Sequence, residues 1–379
     1  MSKINFITAG ESHGPILTAI INGLPAGFTI DIEKINNQLQ KRQQGYGRGG
    51  RMKIEKDQVS ILSGVRNSIT LGSPITMQIK NHDFKNWQDT MDPILSDSRN
   101  NKVTIPRPGH ADYAGIKKYG FDDIRNVLER SSARETAIRV AVGALCRQFL
   151  ESINIVFLSH VIQIGNISID TNSVNYSDLK SVDNSSVHCI DKKISKKMEV
   201  AIDNTKAEGD SIGGIFQVIV KNLPIGLGSY IHWDERLSSK ISAHILGIPA
   251  IKGVEFGKGF DSAKISGKNY HDEFVVKNGD ILRTSNNAGG LEGGMTNGEP
   301  LVINAVMKPI PTLTNPLNSF NIHTKEKTIA HKERTDSCAV PASSIVAENV
   351  IAIPILDTFL DRFGRDNWAT IKKRFENEN

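Results

Sequence analysis

Residues 130–149 read RSSARETAIRVAVGALCRQF, a stretch in which a helix start coincides with an arrangement suited to anions. Ser132 followed three residues later by Glu135 has the S-x-x-E spacing of a capping box. Ile138, Val142, Leu145 and Phe149 then recur at i, i+4, i+7 and i+11, so one stripe of this helix faces a core. The first N–H groups of a helix lack partners within it, and the helix dipole adds positive charge at the same end. Arg130 and Arg134 bracket that end, where backbone and guanidinium together would receive a phosphate. The same residues also fit a capped helix with solvated arginines, and spacing alone does not choose between the two.

Downstream of this helix, residues 153–164 are nearly all apolar and β-branched, as in a strand buried on both faces. Residues 215–220 and 301–307 read as further strands, and 236–246 as an amphipathic helix. The polar stretch 166–206 reads as a surface excursion with one helix near 195–204. Upstream, 17–21, 58–62 and 75–79 are strand-like, and 31–44 is a polar helix stopped by Gly45, with Lys41 and Arg42 in its last turn. Residues 98–118 show no periodicity; Pro106, Pro108 and Gly109 fix a loop of the kind that often carries function. The segment 343–363 is helical with a kink expected at Pro354, and a tail follows from about 364 to 379. Strands do not alternate with crossover helices, and neither repeat nor linker divides the chain. A single mixed α+β domain over 1–379 with mainly antiparallel strands is expected.

Composition narrows the function. The 46 Lys and Arg against 41 Asp and Glu leave +5, a balance suited to small anionic ligands rather than to a nucleic-acid backbone. Hydrophobic content of 39% with 23% charged residues excludes global disorder. Cys146, Cys189 and Cys338 form neither a CxxC nor a disulfide framework, which suits a reducing cytoplasm. The N-terminus lacks a signal-peptide apolar region and no run of membrane-spanning length is expected.

Four loops carry the candidate chemistry. Residues 45–50, GYGRGG, fit the letters G-x-G-x-x-G, but a polar helix precedes them and no apolar helix follows, which excludes a dinucleotide fingerprint. What remains is an anion clamp built on Arg42, Arg48 and Arg51, or a solvated loop. Residues 10–14, GESHG, place Ser12 and His13 side by side without a G-x-S-x-G elbow, so a serine hydrolase is excluded and His13 is a proton donor or a turn histidine. In 107–112, RPGHAD, His110 lies between Arg107 and Asp112 with no further ligands at supporting spacing, and no metal is expected. Asp336 follows Arg334 by two residues and is either a tuned base or an ordinary helix-start aspartate. Two loop histidines, an acid and many arginines together suggest proton handling around a multiply anionic ligand.

These segments resemble the chorismate synthase family. GESHGPILTAIINGLPAG at 10–27, ERSSARETAIRVAVGAL at 129–145 and RTDSCAVPASSIVAENV at 334–350 are similar to its three signatures, with QGYGRGGRM, RPGHADYAG, GGLEGGMTNGEP and KPIPTL between them. The resemblance implies anti-1,4 elimination of phosphate and the C6 proton from 5-enolpyruvylshikimate 3-phosphate, the last common step of the shikimate pathway toward aromatic amino acids. It implies a need for reduced FMN without net redox change, the flavin lending electron density as the allylic phosphate leaves. By the same resemblance His13 is the acid near the departing phosphate, and His110 manages charge at the flavin ring. Asp336 acts with flavin N5 on the C6 proton, and Ser12 and Ser132 relay protons or hold geometry.

Arg48, Arg107, Arg134 and Arg334 are the implied substrate contacts. Flavin contacts are implied for Arg130, Ser131, Ser132, Pro249, Ala250, Gly293, Lys308, Pro309, Ile310, Pro311, Thr312 and Arg334, and NADPH contacts for Arg42 and Arg48. The implied fold is a sandwich of two antiparallel four-stranded sheets flanked by helices, assembled as a cytoplasmic homotetramer without nucleic acid or membrane. Asn22, Thr335, Pro249 and Ser343 depart from the usual pattern, and Pro249 removes a backbone donor beside the implied flavin pocket. Two rivals stand beside this: a catalytically idle anion-binding module, and an ATP-dependent phosphotransferase, against which the missing Walker and kinase motifs count.

Overall fold

Alternating burial along residues 16–22 and 75–80 makes a sheet with one apolar face. It contains β1 (Asn5–Ala9), β2 (Ile16–Asn22), β3 (Val59–Ile61) and β6 (Ile75–Lys80), all antiparallel, in the order β1-β2-β6-β3. A small hairpin, β4 (Val65–Arg66) with β5 (Ile69–Thr70), lies between β3 and β6 in the chain. The second sheet takes the order β10-β15-β9-β7-β8 from β7 (Val156–Ile164), β8 (Ile167–Ser168), β9 (Gly214–Lys221), β10 (Ile251–Phe256) and β15 (Leu301–Met307). Three more hairpins pair β11 (Phe274–Lys277) with β12 (Asp280–Arg283), β13 (Leu291–Glu292) with β14 (Met295–Thr296), and β16 (Asn318–Phe320) with β17 (Lys327–Ile329). This computed structural model describes residues 3–49, 56–94, 102–171, 174–332 and 335–378.

The helices are α1 (Ile32–Gln43), α2 (Gln88–Met91), α3 (Asp112–Tyr119), α4 (Arg125–Ser131), α5 (Thr136–Glu151) and α6 (Lys192–Ala207). After them come α7 (Leu237–Leu246), α8 (Gly267–Tyr270), α9 (Val340–Val350), α10 (Ala352–Phe363) and α11 (Trp368–Glu378). The fold is mixed helix and strand, but the expected arrangement needs two corrections. The second sheet has five strands, because β8 folds back on β7 through the turn at Gly165 (φ 56°), and a two-residue strand leaves no period to read. The long helices also lie between the sheets rather than outside them. α5 packs on β2 and β6 and on α9 and α10, and α9 continues onto β7 and β9. The physical reason lies in its surroundings: α9 is buried at every residue, and its polar side chains find partners inside, Glu348 in Arg147 and Ser159, Ser344 in Pro341 O and Asn349 in Ile345 O.

Other expectations also change. Asp31 lies just outside α1 and caps it, its side chain accepting from Glu33 and Lys34 N–H. The patternless stretch 98–118 contains α3, too short to show a period; residues 95–101 lie outside those described. The 166–206 excursion is not merely surface: Leu179 and Val182 pack on Ile219 across the second sheet, and α6 buries Met198 and Ile202. The tail is largely helical, with Trp368 wedged edge-on against Phe149 at 5.1 Å and its backbone N–H donating to Ala26 O at 2.9 Å. The 340–363 run is long and apolar enough to cross a membrane, against expectation, yet residues 340–360 are buried in the core and only Asp361 and Arg362 are exposed. It breaks at Ile351, three residues before Pro354, whose missing N–H and ring would conflict with the carbonyl of Val350.

Candidate active site

The loop after α1 and the loops before α3, α5 and α9 converge on one cavity of about 870 Å³. Arg42, Arg48, Arg107, Arg134 and Lys308 line it along with the carboxylates Asp83 and Asp336, so cation exceeds acid. Its other wall is apolar, formed by Ile248, Pro249, Ala250, Met307, Ile310 and Pro311 and, from α9, Ala342 and Val346. A mouth with charge on one side and apolar surface on the other suits a flat, partly anionic ligand.

The predicted capping box is not closed. Ser132 Oγ accepts from Arg134 N at 3.3 Å, while Glu135 accepts from Thr8 Oγ1 at 3.0 Å. A 3-10 turn, Ala133–Glu135, precedes α5 because α4 runs in directly before it. Ser131, Ser132, Ala133, Arg134 and Thr136 nevertheless line the cavity at the start of α5. Beneath them Arg134 Nη1 donates to Asp57 Oδ2 at 2.7 Å, and Arg42 Nη1 lies 3.7 Å from the same oxygen. Arg42 also donates to Thr136 Oγ1 at 3.0 Å and Ala133 O at 2.9 Å, so it braces the helix start from within. Two buried cations on one carboxylate leave net positive charge under this end.

Both histidines are held by carboxylates. His13 Nδ1 lies 2.9 Å from each oxygen of Glu129, its backbone N–H donates to Glu129 Oε2 at 2.9 Å, and its ring stacks on Trp87 at 3.8 Å. His110 Nδ1 donates to Asp112 Oδ1, and Asp112 also takes Arg107 N–H and Nε–H at 3.0 and 2.9 Å. Burial pushes the Asp112 carboxyl up, but the hydrogen bonds from His110 and Arg107 outweigh it and hold it far below the usual carboxylate range. Arg107 further donates to Thr312 Oγ1 at 3.0 Å, so it knits the 107–112 loop to 312.

The glycine loop clasps the third signature. Arg48 Nη1 lies 2.9 Å from Asp336 Oδ2, and Gly49 N donates to Asp336 Oδ1 at 2.6 Å. Ser337 N donates to Gly47 O at 2.8 Å. At Gly47 (φ 85°) a Cβ would come within 2.9 Å of Ile202 and 3.1 Å of Cys338, so only glycine fits. Lys308 has no carboxylate partner among the described residues, and burial followed by Lys252 lowers its pKa.

Of the predicted residues, the cavity gathers Ser12, His13, Arg42, Arg48, Arg107, His110, Ser131, Ser132, Arg134, Pro249, Ala250, Lys308, Ile310, Pro311, Thr312 and Asp336. Arg130 does not line it: its guanidinium donates to Thr8 O and Gly10 O at 2.8 and 2.9 Å, tying α4 to β1. Gly293 sits in the β13–β14 turn and Pro309 also lies off the wall. Arg334 and Arg51 lie outside the described residues. Glu129, Trp87 and Asp57 were missed, since their partners stand far away in the chain. The available signal for Glu129 was a charge beside the apolar residues Ile124, Val127 and Leu128 of α4.

Two imidazole–carboxylate pairs and an acid set around a cationic cavity define an enzyme site built for proton transfer on an anion. The chorismate synthase family model matches residues 4–360. Relatives named chorismate synthase include one from Alkaliphilus metalliredigens, 52% identical over 98% of both chains, and one from Geobacillus sp., 51% identical over 98% of both. A solved structure titled "Crystal Structure of Chorismate Synthase" superposes with a TM-score of 0.80 at 37% identity, covering 100% of this chain and 98% of that one. The chain belongs to the chorismate synthase family, and as such is a carbon–oxygen lyase.

Proposed function

We propose that the chain converts 5-enolpyruvylshikimate 3-phosphate to chorismate by anti-1,4 elimination. The C3–O bond to phosphate and the C6–H bond break, and a second ring double bond forms. The observation that carries this reading is the placement of His13, His110 and Asp336 on the walls of one cavity with a surplus of cations. Reduced FMN, when bound, supplies electron density to the allylic system while phosphate departs. The apolar wall of Pro249, Ala250, Met307, Ile310 and Pro311 fits a flavin ring, and Ser131, Ser132, Thr312 and Lys308 offer polar contacts at its edges.

The remaining work falls to the chain's own residues. Arg134, over Asp57 and Arg42, places positive charge at the start of α5, where a leaving phosphate would be stabilised. His13, with Nδ1 engaged by Glu129, delivers a proton to the phosphate oxygen from Nε2. His110, with Nδ1 donating to Asp112, presents Nε2 as the acceptor that can hold or yield a proton near the flavin ring. Asp336, aligned by Arg48 and Gly49, receives the proton from C6. Ser12 and Ser132 hold water and substrate hydroxyls in register. The brace-like setting of Arg42 favours Arg48 over Arg42 for any NADPH contact. A cytoplasmic homotetramer completes the proposal, with sedimentation equilibrium as its check.

The decisive experiment is anaerobic chorismate formation with chemically reduced FMN, beside oxidised FMN plus NADPH. Product in the first arm supports the reading, and the second decides whether flavin reductase activity is built in. Folded protein that forms no product in either arm would return the idle binding module.

A further inference from the structure

The contacts around His13 carry more than its identity as an acid. Its Nδ1 meets both oxygens of Glu129 at 2.9 Å, and Glu129 Oε2 also accepts the His13 backbone N–H, so one carboxylate fixes both ring and main chain. Glu129 is 3% exposed and α4 adds a further tether, Ser12 N donating to Glu129 O at 2.9 Å. Trp87 covers one face of the imidazole, and its own Nε1 is anchored on Asp83 at 3.2 Å. Three constraints on one ring exceed what a turn histidine needs.

We infer that Glu129 is the positioning residue of His13: it fixes the tautomer with the proton on Nδ1 and turns Nε2 toward the leaving group. An ionised carboxylate only accepts hydrogen bonds, so the nitrogen facing it must carry hydrogen. The proton to be donated is then the one carried on Nε2. Charged groups next to the pair include Arg125, whose Nη1 contacts Glu129 Oε1 at 3.3 Å, Asp83, which holds Trp87, and Glu11 on the ring's own loop. Arg125 meets Glu129 through one contact, whereas Arg107 grips Asp112 through three. The positioning role rests on the proposed elimination.

The test reads imidazole ¹⁵N shifts of histidine-labelled protein, with His13 assigned through His13→Gln, alongside turnover. We expect the Nδ1 proton on His13 in the unaltered protein and its loss as the dominant form in Glu129→Gln. Turnover in Glu129→Gln should fall at least about tenfold. The double variant His13→Gln/Glu129→Gln should lose no more than His13→Gln alone, as expected of groups acting as a unit. A bare Nδ1 on His13 in the unaltered protein overturns the inference even if Glu129→Gln fails to fold, and so does an Nδ1-protonated His13 that stays dominant in a folded Glu129→Gln. If the unaltered protein makes no chorismate with reduced FMN, the elimination reading fails, while the ¹⁵N shifts still decide whether Glu129 sets the tautomer.

Discussion

A single carboxylate illustrates how far a residue's surroundings decide its chemistry. Asp336 is aimed by a guanidinium and one backbone N–H, and the glycine supplying that N–H has no room for a side chain. A Cβ on Gly49 would stand 2.9 Å from Thr335 O and 3.3 Å from Asp336 Oδ1. Gly49→Ala should therefore reduce turnover by displacing Asp336, with a melting temperature close to that of the unaltered chain; unchanged kinetics would show that the clasp is not needed. His110→Ala and Asp336→Ala should each cut turnover at least about tenfold, ~1.4 kcal/mol of barrier, in a reduced-FMN assay. Wild-type rates in either variant would remove that residue from the mechanism. Ser12, His13, His110 and Asp336 were legible in the sequence because glycine, proline and polar neighbours mark them out locally. Glu129 was not, because its partner lies 116 positions away and nothing in a linear pattern records such a pairing.

At the level of elements, strands and long helices were read well wherever one face is apolar. β2, β6, β9, β15, α1, α5 and α7 fall close to their expected positions. Layer order was not legible, since periodicity says that a face is buried and not what covers it. The same gap hid α11: Trp368 reads as an ordinary aromatic in a charged tail, yet it joins Phe28 and Phe149, which themselves stack at 3.9 Å. Trp368→Ala should cost about 3–5 kcal/mol, read by urea denaturation, since it opens a cavity between α5 and α11. A loss below ~1 kcal/mol would mean that the C-terminal helix is ornamental. Arg147 bridges α5 to Glu348 on α9 and also binds Glu151 on its own helix. Arg147→Ala should be destabilising by about 3 kcal/mol, because Glu348 would be left buried beside Ser159 without its counter-charge.

For the molecule as a whole, buried titratable groups set the pH range of stability. His160 is fully buried in the second sheet, and burial pushes its pKa down to about 4. Its neutral form contributes fully above the unfolded value of 6.5, and that contribution is lost as pH falls toward 4. Burial pushes the thiols of Cys189 and Cys338 up to about 11 and about 12. Their contribution is intact below the unfolded value of 9.0 and is lost as pH climbs toward those values. Thermal melts should therefore show a plateau between about pH 7 and 9 that falls on both sides, and thiol reagents at pH 8 should label the folded chain slowly. Rapid labelling of all three cysteines would contradict the buried positions. The helices at 340–363 have a consequence of another kind, in the order of manufacture. A ribosome delivers them after every strand of both large sheets, yet they form the layer on which the second sheet rests and one wall of the cavity. Until α9 emerges, the face of β7 and β9 that it covers stays bare, so the second sheet can be completed only late in synthesis, when a chaperone's shelter matters most.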